Sequence, residues 1–278
     1  MVAPFLAHRI WGREAFGIWL VSCGACEFLF FNPRLESGEE ARLCCGYRDA
    51  EYLKARQALE PWYTARFNGN LTDPAFLQLR KATVAKILQA YLPRNRSCRI
   101  LDFGGSHGEL VRGLFPNCSS YVYDISRVEP LEGVTACLDL ADCRRYEFDL
   151  ILCSNVLEHV GFPQTIVRRI CQVAALQTFI WIEVPQETPL NWDQRLRRLA
   201  QEALLLALRP RVGLSLLRPG MLHWMHEHIN FFNRESLQEL LKRSGGEVIA
   251  SDTYGISGPT GSAEMLWILG KAASDQIA

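Results

Sequence analysis

The chain has 278 residues, and 49% of them are hydrophobic, which is enough to bury the core of one α/β domain with a smaller appendage. Its 30 lysines and arginines balance 30 aspartates and glutamates, so the formal net charge is zero and no basic excess points to a nucleic-acid partner. The 10 cysteines are scattered, several of them inside apolar runs, which favours a reduced, cytoplasmic protein over a disulfide scaffold.

The first part of the chain, residues 1–72, is irregular in pattern and rich in aromatic residues and cysteines. Cys23 and Cys26 form a Cys-x-x-Cys pair, which is half of a zinc ribbon. Two ligands do not close a tetrahedral site, and the adjacent Cys44 and Cys45 are poorly placed to complete it, because neighbouring residues seldom both reach one ion. A zinc site and a ribbon kept only for packing therefore both stay open. No apolar run in the chain approaches the roughly 20 residues of a membrane-spanning helix, so we expect a soluble protein.

From about residue 73 the pattern becomes regular. Apolar residues at helical spacing predict a helix over Pro74–Tyr91. Short apolar runs then alternate with helical patterns, which predicts a parallel sheet covered by helices on both faces. The predicted strands are Arg99–Phe103, Ser120–Tyr123, Val134–Leu138, Phe148–Cys153 and Thr178–Val184, and the predicted helices between them are Glu109–Phe115 and Pro163–Leu176.

The end of the chain has a different order of elements. A helix is predicted over Arg234–Arg243, with Asn233 as its cap, and two strands follow it, Glu247–Thr253 and Ala263–Leu269. The seven-residue Gly255–Gly261 loop between these strands is too short for a crossover, so the pair must be antiparallel.

An insertion, Gln186–Asn233, separates the fifth strand from that helix. Leucine and alanine repeat at helical spacing over Arg195–Leu208. We expect this amphipathic helix to pack on the core as part of a substrate lid. A dimer face and a membrane-surface helix are the alternatives.

The glycine-rich loop from Asp102 to Gly108 follows the first predicted strand of this region. Glycines between a strand and a helix allow a tight turn and a close approach to a ligand, and the helix that follows offers free N–H groups to an anion. A nicotinamide cofactor or a plain turn would need similar residues. Asp124 ends the next strand, where an acidic side chain can bind the two ribose hydroxyls of a nucleoside. A capping or turn role is the alternative for this aspartate.

The block Phe148–Val160, which contains Ser154-Asn155-Val156-Leu157-Glu158-His159, resembles the fourth-strand motif of class I S-adenosylmethionine-dependent methyltransferases. The glycine loop resembles the first motif of that family, Asp124 falls on its acidic ribose position, and Leu138-Asp139-Leu140 resembles the loop that borders the adenine. The resemblance covers about residues 75–270 and implies a Rossmann-like, doubly wound, seven-stranded, mainly parallel sheet whose last strand is antiparallel. It also implies S-adenosylmethionine as the cofactor. The residues that it places at the cofactor are Asp102, Gly104, Gly105, Ser106, Gly108, Asp124, Asp139, Leu140, Asn155 and Val156. The family usually has glycine at the position of Ser106.

The stretch His223–Phe232 holds three histidines and a glutamate within six residues. A histidine beside a carboxylate can take a proton near neutral pH. The stretch resembles the His-Glu-His segment of bacterial methyltransferases that act on sugars and other small metabolites, and more narrowly the sugar C-methyltransferases. That resemblance implies catalytic positions for His228, Glu227 and His159. It departs at Met225, where that family has tyrosine. A histidine-rich turn is the alternative, and no metal is expected because the family's transfer chemistry needs none.

These observations predict an N-terminal zinc-ribbon-like or helical segment, 1–72, and a class I methyltransferase domain, 73–278, with residues 186–233 as a substrate lid. We expect direct methyl transfer to a small molecule, with a sugar or a glycan or natural-product intermediate among the candidates, and with His228 or His159 as the base. A non-catalytic module of the same fold is the second hypothesis, and a nicotinamide-dependent oxidoreductase is disfavoured. The acceptor atom, carbon, oxygen or nitrogen, and the oligomeric state stay undetermined.

Overall fold

The structure is a computed structural model that describes residues 2–12, 17–46, 49–64, 73–92, 97–188, 192–208, 210, 225–258 and 261–273. The helices are α1 Pro4–Trp11, α2 Ser37–Cys44, α3 Ala50–Leu59, α4 Pro74–Leu88, α5 Leu140–Cys143, α6 Pro163–Val173, α7 Trp192–Leu208 and α8 Arg234–Arg243. The strands are β1 Trp19–Ser22, β2 Leu29–Asn32, β3 Cys98–Phe103, β4 Cys118–Tyr123, β5 Val134–Ala136, β6 Leu150–Ser154, β7 Phe179–Pro185, β8 Asn230–Phe231, β9 Gly246–Gly258 and β10 Gly261–Ala272.

The chain divides into two compact units. The sheet unit consists of Asp73–Leu157, Phe162–Gln186 and Phe232–Ala278. The N-terminal unit consists of Met1–Thr72, Glu158–Gly161 and Glu187–Phe231. Most of the segment that the sequence assigns to a lid therefore belongs to the same unit as the start of the chain.

The sheet unit contains seven strands in the order β5-β4-β3-β6-β7-β10-β9. Strands β3 to β7 pair in parallel, whereas β10 runs antiparallel to both β7 and β9. The predicted fold class is confirmed. The first four residues of β6 are all buried, as expected for a strand covered on both faces. Trp181 and Trp267 stack in the core with ring centroids 4.8 Å apart.

Two predicted elements of the sheet unit differ from those observed. The helix predicted over Glu109–Phe115 is a series of turns. Gly108 and Gly113 adopt φ values of 80° and 65°, and the left-handed region interrupts a right-handed helix. The loop predicted over Gly255–Gly261 is much shorter, because β9 and β10 extend to Gly258 and Gly261, which pair with each other.

The cysteines also differ from expectation at one pair. The sequence favours a reduced protein over a disulfide scaffold, and the structure has a disulfide between Cys98 and Cys118. These residues begin the neighbouring parallel strands β3 and β4 and are in register, with their Cα atoms 4.5 Å apart. Sequence patterns did not show this register, so this disulfide was not predicted.

The N-terminal unit contains a small antiparallel sheet in the order β1-β2-β8. Helices α1, α2 and α3 bury apolar side chains in one cluster with residues of that sheet and of the 225–231 segment. Cys23 and Cys26 lie at the turn between β1 and β2, which the Cys23 N–H closes by donating to the Phe28 carbonyl at 2.8 Å. Zinc binding there stays a hypothesis. None of the helices in the described ranges combines the length and apolar character needed to cross a bilayer.

Candidate functional site

The glycine loop of the sheet unit leaves room for backbone only. A Cβ atom on Gly105 would lie 2.2 Å from Cγ of Asp102, and a Cβ atom on Gly104 would lie 2.6 Å from Cγ2 of Val156. Gly104 and Gly108 have φ values of 78° and 80°, which favour glycine. The loop therefore needs glycine for its close packing as well as for its turn.

Ser106 and Asp124 hold the tip of this loop. Ser106 takes the left-handed conformation at φ 52°, which suits glycine better than serine. Its N–H donates to Oδ2 of Asp124 at 2.9 Å, and Oδ1 of the same carboxylate accepts from the Ser126 N–H at 2.8 Å. Asp124 follows β4 and thus joins the turn after its own strand to the turn after β3.

Asp102 is a buried carboxyl group, 2% exposed, at the end of β3. Burial raises its pKa to about 7, and the positive charge of Arg80 opposes that rise. Arg80 forms an ion pair with the buried Glu183 at 2.6 Å. Burial lowers the pKa of Arg80, but Glu183 and Tyr254 outweigh this effect and raise it, so the guanidinium stays charged. The base of the glycine loop thus combines one cation with two carboxyl groups.

The other predicted cofactor residues follow β5 and β6 at the same edge of the sheet, the carboxyl edge where ligands of such sheets bind. Asp139 caps α5, since its side chain accepts from the Asp142 N–H at 2.7 Å, and Leu140 is the first residue of that helix. Asn155 is exposed and takes a φ of 56°. Cofactor binding by these residues stays a prediction.

Two exposed apolar side chains lie at this edge. Ile125 follows β4 and is 71% exposed, and Leu138 follows the neighbouring β5 and is 70% exposed. Apolar side chains of this kind can pack against the faces of an adenine ring. Ile125 was not among the residues predicted from the sequence, although it lies next to Asp124.

The histidine cluster lies in the N-terminal unit. Nδ1 of His228 bonds Oε2 of Glu187 at 2.8 Å, and Nδ1 of His159 bonds the main-chain oxygen of Glu227 at 2.9 Å. Both partners are acceptors, so each Nδ1 carries a hydrogen, and in a neutral ring Nε2 then holds the lone pair. The two rings meet edge to face with centroids 4.8 Å apart. The structure therefore brings together His159 and His228, two of the residues that the sequence assigns to catalysis.

Hydrogen bonds fix the segment that carries His159. The Glu158 carbonyl accepts from the N–H groups of Ile229 and Asn230 at 2.7 and 3.1 Å. Nε of Arg34, from the Asn32-Pro33-Arg34 segment, donates to the Gly161 carbonyl at 2.6 Å, and its Nη2 donates to Oδ1 of Asn230 at 2.6 Å. These bonds tie the segment to the strand that follows His228.

Glu187 controls the charge of His228. Burial lowers the pKa of His228, but the hydrogen bond and the charge of Glu187, with Glu158 and Glu227, outweigh it and raise the pKa to about 9. Burial raises the pKa of Glu187, and His228 outweighs that effect, so its pKa falls below the ordinary value. Sequence reasoning missed Glu187, which lies 41 residues from its partner. No local pattern marks such a pair.

The remaining members of the cluster have different surroundings. Burial lowers the pKa of His226, so its ring stays neutral at pH 7. His223 lies outside the described residues. Glu158, His159 and His228 each offer an atom of a metal-ligand type, and these atoms lie within 4.8 Å of one another. With a pKa of about 9, His228 is an imidazolium at neutral pH and has no free lone pair for a metal ion. An ion would therefore first have to displace a proton from His228.

Comparison with known proteins matches residues 76–251 to a family described as "Methyltransferase domain". One similar solved structure is the 1,6-didemethyltoxoflavin-N1-methyltransferase of Burkholderia thailandensis, crystallised with 1,6-didemethyltoxoflavin and S-adenosylhomocysteine. It is 17% identical, with 92% of this chain and 95% of that chain covered and a TM-score of 0.52. The magnesium protoporphyrin IX methyltransferase of Synechocystis is 14% identical over 77% of this chain and 99% of that chain, with a TM-score of 0.42. No match is found among the curated proteins.

The sheet topology and the glycine loop at its carboxyl edge define a nucleotide-cofactor enzyme of the Rossmann-like class. The family match covers more than half of the chain, and the chain belongs to the methyltransferase domain family. The predicted identity, an S-adenosylmethionine-dependent methyltransferase, is confirmed.

Proposed function

We propose that the chain transfers the methyl group of S-adenosylmethionine to a small polar molecule, and that a sugar or a glycan or natural-product intermediate is the acceptor class. The observation that carries this proposal is the pairing of His228 with Glu187 at 2.8 Å, beside His159 and Glu158. Imidazoles and carboxylates grouped in this way can bind hydroxyl groups and take a proton from one of them. The similar toxoflavin methyltransferase was crystallised with 1,6-didemethyltoxoflavin, and this supports a small molecule as the acceptor.

In the sheet unit, we assign Asp124 to the ribose hydroxyls of the cofactor and Gly104, Gly105, Ser106 and Gly108 to a close backbone approach. Ile125 and Leu138 would pack on the adenine. Asp102 would face the positively charged amino group of the methionine part of S-adenosylmethionine, and this charge would favour the ionised form of the Asp102 carboxyl group. S-adenosylmethionine supplies an electrophilic methyl group when bound.

In the N-terminal unit, we assign His228 to proton removal from the acceptor. Glu187 fixes Nδ1 of this ring, so Nε2 is the atom that takes the proton. His159 holds the same tautomer through the Glu227 carbonyl and is the second candidate base. The pKa of about 9 means that the reactive, neutral form of His228 becomes more abundant as the pH rises above neutrality.

The test is labelled-methyl transfer from S-adenosylmethionine to a panel of sugar nucleotides, glycans and phenolic or quinone-like rings. We expect His228→Ala to lower turnover roughly 100-fold or more, within the range typical for the loss of a general base, while the dissociation constant of S-adenosylhomocysteine stays unchanged. Turnover equal to that of the wild type would remove His228 from the mechanism. Transfer to none of the panel, but to a protein or nucleic acid, would contradict the acceptor class.

A further inference from the structure

A buried polar network on α3 lies in the N-terminal unit, outside every motif that the sequence marks as functional. Tyr52 and Arg56 are four residues apart on one face of α3, and Glu60, four residues further on, is the residue that caps the C-terminus of the helix. They are 1%, 4% and 0% exposed, respectively. Polar groups this deeply buried are costly unless each has a hydrogen-bond or ion-pair partner. Such a network can fix the position of the side chain on which it ends.

The network ends on the carboxylate of Glu227. Oη of Tyr52 donates to Oε1 of Glu227 at 2.7 Å, and the Arg56 guanidinium forms an ion pair with the same carboxylate. Nε of Arg56 also donates to Oε2 of Glu60 at 2.8 Å. The guanidinium lies 3.8 Å from the ring centroid of Tyr63, which fixes its plane. One arginine therefore holds two glutamates in a fixed geometry.

The main chain of Glu227 connects this network to the histidines. Its carbonyl is the acceptor for Nδ1 of His159, and its neighbour in sequence is His228. The segment is also fixed on both sides of Glu227. The Ala3 N–H donates to the Met225 carbonyl at 2.9 Å, and the Ile229 N–H donates to the Glu158 carbonyl at 2.7 Å. The Glu227 side chain is thus the third anchor of a short stretch whose carbonyl sets the tautomer of His159.

We infer that Tyr52 and Arg56 are positioning residues of the methyl transfer: they hold Glu227, and through its carbonyl they keep His159 in the Nδ1–H form with Nε2 as the proton acceptor. Glu227 is then an anchor and not a proton carrier. This inference rests on the proposed function. It changes the role that the resemblance implies for Glu227, because the carboxylate is bound by Tyr52 and Arg56.

The electrostatics agree with this role. Burial raises the pKa of Glu227, but the charge of Arg56, together with His226 and the hydrogen bond from Tyr52, outweighs burial and lowers the pKa to about 2. The carboxylate therefore stays ionised over the whole range in which an enzyme of this kind operates.

The central experiment compares Arg56→Met and Arg56→Lys with the wild type. We expect Arg56→Met to lower kcat roughly 10- to 100-fold, the range for a lost charged hydrogen bond or a misplacement of about 1 Å. Arg56→Lys restores a positive charge and should recover part of that loss. The dissociation constant of S-adenosylhomocysteine should stay within about twofold, because the predicted cofactor residues belong to the sheet unit. Arg42→Met is the matched control: Nε of Arg42 donates to the Ile10 carbonyl at 2.8 Å, within the same unit, and kcat should not change.

The second readout is the tautomer of His159, measured by the nitrogen-15 shifts of its ring. We expect the Nδ1–H form in the wild type and in Arg42→Met, and a mixture of tautomers in Arg56→Met. If Arg56 had only a structural role, the folded Arg56→Met protein would keep the wild-type tautomer of His159. Glu227→Gln should keep at least about a tenth of wild-type kcat and the same pH profile, because its carbonyl remains and an amide replaces a bound carboxylate.

Tyr52→Phe keeps the test decisive if Arg56→Met does not fold. It removes only one hydroxyl, and we expect kcat to fall roughly 3- to 10-fold with unchanged cofactor affinity, in line with the loss of one hydrogen bond. The inference is overturned if His228→Ala loses turnover but Tyr52→Phe and every folded Arg56 variant keep wild-type kcat and the wild-type tautomer. It is also overturned if Glu227→Gln abolishes turnover and removes a limb of the pH profile. Normal turnover in both His228→Ala and His159→Ala would instead refute the proposed function itself.

Discussion

The substitution Gly105→Ala tests whether the glycine loop, residues 102–108, binds the cofactor as we propose. A Cβ atom at this position would lie 2.2 Å from Cγ, 2.4 Å from Oδ2 and 2.7 Å from Cβ of Asp102. The closest of these distances is about 1.2 Å shorter than an ordinary contact of 3.4 Å. Asp102 is 2% exposed and cannot swing into solvent, so the loop backbone must move. Overpacking of this kind costs about 1–3 kcal/mol. We therefore expect Gly105→Ala to weaken S-adenosylhomocysteine binding roughly 10- to 100-fold, since about 1.4 kcal/mol is tenfold in affinity.

Calorimetric titration measures this change, and Gly255→Ala is the matched control. Gly255 lies in β9 of the same unit, has no positive φ, and has nothing within 4 Å of an added Cβ atom. Its variant should bind the cofactor product as the wild type does. If Gly105→Ala bound with wild-type affinity, the loop would not be held as described and its assignment to the cofactor would be wrong.

Three further predictions concern single side chains of the two sites. Ser106→Gly should raise the free energy of unfolding by about 1 kcal/mol, because serine at φ 52° is strained and glycine is not; an unchanged or lower value in urea denaturation would contradict this strain. Asp102 has a folded-state pKa of about 7, above its ordinary 3.8, so its contribution to stability is full below pH 4 and is lost as the pH rises through 7. Asp102→Asn should remove up to about 4 kcal/mol of that pH dependence, measured as unfolding free energy between pH 4 and 8, and a curve identical to the wild type would refute the raised pKa. Glu187→Gln keeps an oxygen that can accept from Nδ1 of His228 but removes the negative charge that helps to raise the pKa of His228 to about 9, leaving Glu158 and Glu227 as the nearby acids and His226 as a neutral neighbour. The rise of turnover with pH should therefore move to lower pH in this variant, and a pH–rate profile that does not move would show that His228 is not the group that titrates.

The parts of the molecule that the sequence predicts well are those encoded by neighbouring residues. Strand β6 is a continuous apolar run, and α8 has the residues and the cap that its observed bounds require: Asn233 accepts from the Ser236 N–H at 2.7 Å. The glycines of the loop 102–108 are needed locally, by a turn and by close contacts. The turn could therefore be predicted from neighbouring residues, and cofactor binding by the loop stays a prediction.

The parts that the sequence did not predict depend on contacts between distant residues. Glu187 and His228 are 41 positions apart, and Arg56 and Glu227 are 171 apart, so neither pair leaves a periodic trace. The disulfide requires the register of β3 on β4. The wrongly predicted helix over Glu109–Phe115 has a local cause. The sequence contains Gly108 and Gly113, but it does not show that both adopt the left-handed conformation.

The measurement that tests the central claim most directly is a calorimetric titration of the purified chain with S-adenosylhomocysteine, beside the variant Asp124→Ala. We expect saturable binding with one cofactor per chain. In the variant, we expect an affinity at least roughly tenfold weaker, because it lacks the carboxylate that joins the Ser106 and Ser126 turns and that we assign to the ribose. No binding by the wild type, or equal binding by Asp124→Ala, would contradict the assignment of this edge of the sheet to the cofactor.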